Sequence, residues 1–129
     1  MVPRDSDSSD CRVAKRKLSD ICEASGHKNW LVRIACAELE SWYPGDLAAV
    51  EQGLRLDGLN RLQTKSGFRN PDTLQNASDE LTRLTNHKYG KISGSRNIGP
   101  HLSTDSNRSH SLNIFLCAVR YAISHLSRA

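Results

Sequence analysis

The sequence lacks long apolar runs and has few aromatic residues. No stretch of its 129 residues approaches the roughly 18 to 20 consecutive apolar residues that a membrane span needs. The polar amino terminus MVPRDSDSSD is not followed by the apolar segment of a signal peptide. We therefore expect no membrane partner and a cytoplasmic location, with nuclear entry also open. With aromatic residues at 5%, the core is left to Leu, Ile, Val and Ala, and this length favours one domain.

Paired cysteines of the C-x-x-C kind are also absent. The four cysteines are Cys11, Cys22, Cys36 and Cys117. Cys11 and Cys22 fall on one predicted helix, about 16 Å apart along its axis, whereas a disulfide needs Cα atoms about 4.4 to 6.8 Å apart. The spacing of Cys22, His27 and Cys36 matches no zinc knuckle. We expect reduced thiols that pack as small hydrophobes, with no metal and no cofactor.

Positive charge is in excess and lies late in the chain. The formal net charge is +4 and the pI is near 9.0. Residues 21–60 carry more acids than bases, whereas residues 91–129 carry Asp105 as their only acid against Lys91, Arg96, Arg108, Arg120 and Arg128. This regional excess favours a polyanionic partner.

Amino-acid usage suggests how the gene arose. Ser, Leu and Arg, the three residue types with six codons each, make up about a third of the chain, and Arg is twice as common as Lys. Such usage follows codon number and is typical of overprinted or recently arisen genes in compact viral or mobile genomes. By analogy alone, an RNA-binding protein of that origin would serve as a suppressor of RNA silencing.

Helix signals recur along the chain, and strand alternation does not. The predicted segments are a disordered tail at 1–9, a helix to about Ser25 that Ser8, Ser9 or Asp10 can cap, an apolar helix at Trp30–Tyr43 in the centre of the core, a helix at Leu47–Leu54 capped by Asp46 and imperfectly separated from a segment at Leu59–Lys65, a helix from Pro71 to about Lys88 ended by Gly90, and a helix at about Ser109–Ser127. The last helix carries one apolar face of Leu112, Phe115, Leu116, Val119, Ala122, Ile123 and Leu126. We predict an all-α fold, a small bundle of four to five helices in a single domain at 10–129, with a long flexible basic loop at about 90–108 before the C-terminal helix.

Two basic clusters are the candidate nucleic-acid contacts. The first is the helix face Arg12, Lys15, Arg16 and Lys17, and the second is Lys88, Lys91, Arg96 and Arg108 in and beside the loop. The loop also holds several Gly residues, which let backbone N–H groups approach phosphates, while Arg forks onto phosphate oxygens. A solvated helix face and an insertion without function are the alternatives.

A DNA-directed pattern lies within Leu47 to Lys65. Ala49 and Gly53 stand four apart, and Leu59 and Leu62 follow at spacings of six and three. This pattern resembles the helix-turn-helix of bacterial regulators, although Gln52 replaces the usual apolar residue. The resemblance implies that Asn60, Arg61, Gln63, Thr64 and Lys65 face the major groove.

A catalytic pattern lies near the carboxyl end. Arg120 and His125 match the R-x4-6-H signature and thus resemble the HEPN ribonucleases, in which the Arg and His act on the scissile phosphate. An ideal helix places residues five apart about 140° apart around its axis, which separates the two side chains.

These patterns favour a small basic accessory protein that is not an enzyme and that binds nucleic acid, RNA before DNA. The alternatives are a helix-turn-helix regulator, a helical protein–protein adaptor and a HEPN-like ribonuclease. Homodimer formation is compatible with each of them.

Overall fold

In a computed structural model that describes residues 2–5, 10–35 and 38–127, six α-helices and four 3₁₀ turns make up more than half of the described residues. The helices are α1 (Cys11–Ala24), α2 (Leu47–Leu54), α3 (Ser66–Arg69), α4 (Ala77–Leu84), α5 (Lys91–Ile98) and α6 (His110–Leu126). Single 3₁₀ turns lie at Leu39–Trp42, Asn60–Leu62, Pro71–Thr73 and Gly99–His101. Two short strands, β1 (Val2–Asp5) and β2 (Val32–Ala35), pair in parallel. The fold is all-α, as predicted. Of the described helices, none is long and apolar enough to cross a bilayer.

Helix α1 follows its sequence signals closely. The Asp10 carboxylate accepts a hydrogen bond from the Arg12 backbone N–H at 2.8 Å and caps the helix. Gly26, with φ of +74°, lies just beyond its end. None of the α1 side chains is fully buried, and Ile21 is 65% exposed. The helix therefore lies at the edge of the fold.

The predicted helix at Trp30–Tyr43 is wrong. Residues 32–35 form β2, which pairs with β1 in the register Val2 with Val32, and a 3₁₀ turn follows at Leu39–Trp42. The predicted tail at 1–9 is wrong for Val2–Asp5, while Met1 and residues 6–9 lie outside the described residues. β-Branched Val32 and Ile34 suit a strand, but the partner strand lies far away in sequence, so local periodicity did not reveal the pairing.

Helix α2 lies at the centre of the core. Leu47 and Val50 are completely buried, and they pack with Leu81 of α4 and Ile98 of α5. The predicted bounds of α2 are confirmed, as is its cap: the Asp46 carboxylate accepts from the Ala49 N–H at 3.1 Å. Its other oxygen accepts from the Ser103 N–H at 2.8 Å, which joins α2 to the chain after α5.

The predicted flexible loop at about 90–108 is wrong over its first half. Residues 91–98 form α5, and the 3₁₀ turn at 99–101 follows. Gly90 precedes the first residue of α5 and does not end the helix before it, because α4 ends at Leu84. Helix α4 is also shorter than predicted, because Asn86 and His87 adopt positive φ values of 49° and 63° beyond its end. The segment before α6 is therefore mostly ordered structure that packs on α2.

Helix α6 begins as predicted, at the Ser109 cap, whose hydroxyl accepts from the Leu112 N–H at 3.2 Å. Ser111 and Leu112 in its first turn are buried, but Ile123 is 59% and Leu126 is 72% exposed. The prediction that one continuous face is buried is therefore wrong for these two residues. Helix α6 packs at its beginning and presents apolar side chains at its end.

The Tyr89 side chain packs against α5 and is 5% exposed. A Cβ at Gly94 would clash with its ring, so α5 lies directly against it. Burial raises the pKa of Tyr89 to about 12, with a small opposing effect from nearby Ser95. The Ser95 hydroxyl donates to the Lys91 carbonyl, and within the described chain the Tyr89 hydroxyl has no partner in hydrogen-bonding geometry.

We expect Tyr89→Phe to be nearly neutral at about pH 8 and to stabilise the protein at about pH 11. The unfolded chain releases the phenol proton of Tyr89 at about pH 10, whereas the native state keeps this proton up to about pH 12. Stability of the parent therefore falls as pH rises from about 10 to about 12, and the Phe variant lacks this loss. Urea unfolding of both proteins at the two pH values measures the effect. Parallel pH dependences would contradict it.

Candidate polyanion-binding cleft

An open cleft of about 650 Å³ lies between the end of α2 and the end of α5. Its walls include Gly53, Arg55, Lys88, Arg96, Asn97 and His101. Its size falls within the range of small-molecule sites. Neither helix alone forms the site, because each contributes one wall.

Glycine at position 53 sets the distance between the two walls. A Cβ added there would lie 2.6 Å from the Asn97 carbonyl oxygen and 2.7 Å from Ile98 Cα. Both are backbone atoms of α5 and cannot move without the helix. The close approach of α2 and α5 therefore requires Gly53 and forms the floor of the cleft.

The cations enter the cleft from three separate segments. Arg55 follows α2 in the left-handed conformation, with φ of 53°. Lys88 comes directly after the two positive-φ residues Asn86 and His87. Arg96 lies in the last turn of α5. Left-handed backbone is costly for residues other than Gly, and strained conformations cluster at functional sites.

The cleft has an uncompensated positive charge. Among the described residues, Arg55, Lys88 and Arg96 form no salt bridge, and no carboxylate lines the walls. By contrast, Lys91 lies 3.6 Å from Glu40, and Arg120 lies 2.8 Å from Asp105. Unpaired cations that share one concave surface raise the local concentration of anions.

The partial negative charge at the carboxyl end of α2 should repel an anion in the cleft only weakly. The last carbonyls of α2 carry partial negative charge, but those of Glu51 and Gln52 accept hydrogen bonds from the backbone N–H groups of Leu56 and Arg55. The side chains then determine the potential in the cleft. Exposed Gln52, Asn97 and His101 add neutral or titratable polar groups to the walls.

The structure brings together two of the predicted contacts from the loop, Lys88 and Arg96. Lys91 lies outside the cleft beside Glu40, and Arg108 donates from Nη1 to the Gln63 carbonyl at 3.2 Å. Arg12 and Lys15 line a different cavity, and the exposed side chains of Arg16 and Lys17 line neither.

Arg55 is the cleft cation that sequence reasoning missed. Arg55 lies in the string Leu54-Arg55-Leu56-Asp57-Gly58, which indicates a helix end but no partner. Its position opposite Arg96 depends on the contact of α2 with α5, and α5 was not predicted. No pattern of neighbouring residues in the sequence indicated that Arg55 and Arg96 lie opposite each other.

One family comparison covers nearly the whole fold. The model of a domain of unknown function (DUF4276) matches residues 5–120. The chain belongs to the DUF4276 family. The matched span contains the entire cleft. No curated protein and no solved structure matches the chain.

The helix-turn-helix resemblance fails structurally in this DUF4276 chain. Where a reading helix is needed, residues 60–62 form only a 3₁₀ turn. The Gln63 amide is also occupied, because its oxygen accepts from the Leu47 N–H at 2.7 Å and its nitrogen donates to the Pro44 and Phe68 carbonyls. Arg61 and Lys65 are exposed but belong to no α-helix of the described chain. The predicted second helix is wrong, and Gln63 is a structural residue.

The Arg120 and His125 pair is not assembled as a site. Both lie on α6, a regular helix, and their side chains have separate partners. Arg120 Nη2 donates to Asp105 at 2.8 Å and to the Thr104 carbonyl at 3.1 Å. His125 stacks on Tyr121, with 3.9 Å between ring centroids. The side chains of Arg120 and His125 are thus separated, as expected for residues five apart on one helix.

No group of three or more metal-binding side chains occurs in the part of the DUF4276 chain that the structure describes. Cys22 and Cys117 are free thiols on α1 and α6. Cys36, a member of the spacing considered for zinc, lies outside the described residues.

We expect Gly53→Ala to lower the free energy of unfolding by about 1–3 kcal/mol, because overpacking forces α2 and α5 apart. The same change should lower the affinity of the cleft for any ligand that contacts both walls. Urea unfolding measures the first effect. Gly67→Ala is the matched control, since a Cβ there meets nothing within 4 Å. Equal stabilities of the two variants would contradict the close approach.

Proposed function

We propose that this protein is a non-enzymatic accessory protein that binds nucleic acid, RNA before DNA, in the cleft between α2 and α5. The observation that carries the proposal is the set of three cations, Arg55, Lys88 and Arg96, in one concave surface without a carboxylate. Phosphate oxygens are the groups that Arg and Lys bind most readily in nucleic acids. Each cation is exposed and available.

Two features favour RNA. The cleft has hydrogen-bonding side chains at Gln52, Asn97 and His101, and such groups suit the ribose 2′-hydroxyl, which both donates and accepts. In addition, the described chain has no α-helix at 59–65 to enter a DNA major groove. Tyr89 is buried and offers no stacking surface, so binding is expected to depend on backbone charge and not on base sequence.

The basic face of α1 is the second proposed contact. Arg12, Lys15, Arg16 and Lys17 are all exposed on this helix. A cytoplasmic RNA ligand, or a nuclear one if the protein enters the nucleus, would meet both surfaces. Origin in a viral or mobile genome, and a role in suppressing RNA silencing, remain proposals that rest on amino-acid usage and analogy.

A helical adaptor is the second candidate function. It is favoured by the exposed apolar end of α6, where Tyr121 is 64% and Leu126 is 72% exposed. Apolar patches of this kind mark contacts with other proteins, and a second copy of the chain is the simplest occupant. Sedimentation of the purified protein separates a homodimer from a monomer.

The proposal is tested by gel shift against single-stranded RNA, double-stranded RNA and duplex DNA of equal length, at rising salt. We expect binding to both RNA forms in preference to DNA, affinity that falls with salt, and intact RNA at the end. Cleavage of the RNA would contradict the non-enzymatic assignment. Absence of binding to all three at low salt would remove the proposal and leave the adaptor.

A further inference from the structure

Two further cavities adjoin each other on the side of the molecule formed by α1, β2 and α6. The larger, about 640 Å³, is lined mainly by apolar side chains, among them Leu31, Cys117, Ala118 and Tyr121. The smaller, about 350 Å³, is lined by Arg12, Lys15, Val32 and Ile34. Arg33 and Ile114 line both. The two cavities thus share a wall and form one groove with an apolar end and a cationic end.

The cationic end has no opposing charge among the side chains that the structure describes. Within that set, Arg12, Lys15 and Arg33 form no salt bridge, and no carboxylate lines either cavity. Charge complementarity therefore favours an anion at this end.

Arg33 lies where the two ends meet. Its Nη1 donates to the Val32 carbonyl at 3.0 Å, while its Nε is buried without a partner in the described chain. Buried donors of this kind nearly always have an acceptor in native proteins. The edge of the guanidinium that holds Nε is one that carboxylates and phosphates bind in a bidentate manner, so a small rotation of the side chain would present it to an anion.

The apolar end leaves hydrophobic side chains in water. Ile114 is 43% and Tyr121 is 64% exposed. One face of the Tyr121 ring is covered by His125, and the Asn113 amide donates to the Asn107 carbonyl at 2.9 Å. The remaining surface is largely aliphatic, which suits a hydrocarbon body better than a planar base with many hydrogen-bonding groups.

We propose that this groove binds a small amphiphilic anion, with an aliphatic body along α6 and a carboxylate or phosphate headgroup at Arg33, Arg12 and Lys15. The site shares no lining residue with the cleft between α2 and α5. It is therefore independent of the cleft, while its Arg12 and Lys15 also belong to the basic face of α1 that is the second proposed nucleic-acid contact. The combined groove has the size and the mixed lining typical of small-ligand sites.

The test is calorimetric titration of the whole protein with dodecanoate and with dodecyl phosphate, both below the concentration at which they form micelles. We expect saturable binding of at least one of them, at one site. Acetate has the headgroup without the body, and dodecyltrimethylammonium has the body with the opposite charge, so both should bind at least tenfold more weakly. The two anionic probes distinguish a carboxylate ligand from a phosphate ligand.

Variants assign the binding to the groove. Arg33→Gln and, separately, Lys15→Gln should each weaken binding several-fold, and Lys15 is exposed on α1, so the fold should survive its change. Arg120→Gln is the matched control, because it removes the same charge from α6 outside both cavities. A bound ligand should also slow alkylation of Cys117, which is exposed and lines the apolar end.

The proposal is overturned if neither anion binds saturably, or if the trimethylammonium probe binds as well as the anions. It is equally overturned if Arg120→Gln weakens binding as much as Lys15→Gln, or if saturating ligand leaves the alkylation rate of Cys117 unchanged.

Discussion

Replacing Asp72 with Ala should lower the free energy of unfolding by about 3 kcal/mol or more, because a charged acceptor with several buried donors is lost. The Asp72 carboxylate accepts from the Ser109 hydroxyl at 2.7 Å, the Ser111 N–H at 2.9 Å and the Ser111 hydroxyl at 3.0 Å. Ser109 and Ser111 are buried, so their polar groups would be left without this acceptor. The side chain fixes the beginning of α6 to the turn at 71–73.

Nearby contacts explain why the loss should spread. The Trp42 indole donates to the Ser111 hydroxyl at 2.9 Å, and its ring lies 5.2 Å from that of Phe115. Loosening Ser111 therefore frees the turn that precedes α2 as well as α6. Thermal and urea unfolding measure the effect.

Two variants make the Asp72 result specific. Asp72→Asn keeps one oxygen acceptor without the charge, so its loss should be smaller. Asp57→Ala removes an exposed carboxylate with no hydrogen bond from the described residues and should change stability by less than about 0.5 kcal/mol. If Asp72→Ala proves as stable as Asp57→Ala, the network does not hold α6.

The sequence predicted best the elements that depend on neighbouring residues. Asp10, Asp46 and Ser109 each cap the helix that follows them, and a capping side chain bonds to a backbone N–H two or three residues away. Such contacts are visible in the order of residues alone. The beginnings of α1, α2 and α6 were therefore correct.

The errors fall where distant contacts decide the structure. Strand β2 exists because it pairs with β1, about thirty residues earlier. Helix α5 contains Gly94 and two Ser residues of modest helix propensity, and it forms where Gly94 lies on Tyr89 and Ile98 enters the core. The cleft depends on α5, which is why only Lys88 and Arg96 among its cations were predicted.

Removing the three cleft cations should weaken RNA binding on the order of a hundredfold at low salt. The variant is Arg55→Asn, Lys88→Gln and Arg96→Gln combined. Asn is chosen at position 55 because it tolerates the positive φ found there. All three side chains are exposed, so the fold should be unchanged, which circular dichroism and urea unfolding check.

A control of equal charge separates the cleft from net charge. Lys28→Gln, Arg61→Gln and Lys65→Gln together remove the same three charges from exposed positions outside both the cleft and the basic face of α1. Both variants lower the formal net charge from +4 to +1. Affinity of the control should fall far less if the cleft holds the phosphates. Equal losses would show that binding follows overall charge.

The salt dependence of RNA binding measures the number of phosphates in the cleft most directly. Each phosphate contact on a single strand contributes about −0.7 to the slope of log affinity against log salt concentration. The account predicts that the cleft variant has a slope smaller in magnitude than that of the parent by about 2, with the control close to the parent. A cleft variant that keeps the slope and affinity of the parent would contradict the account.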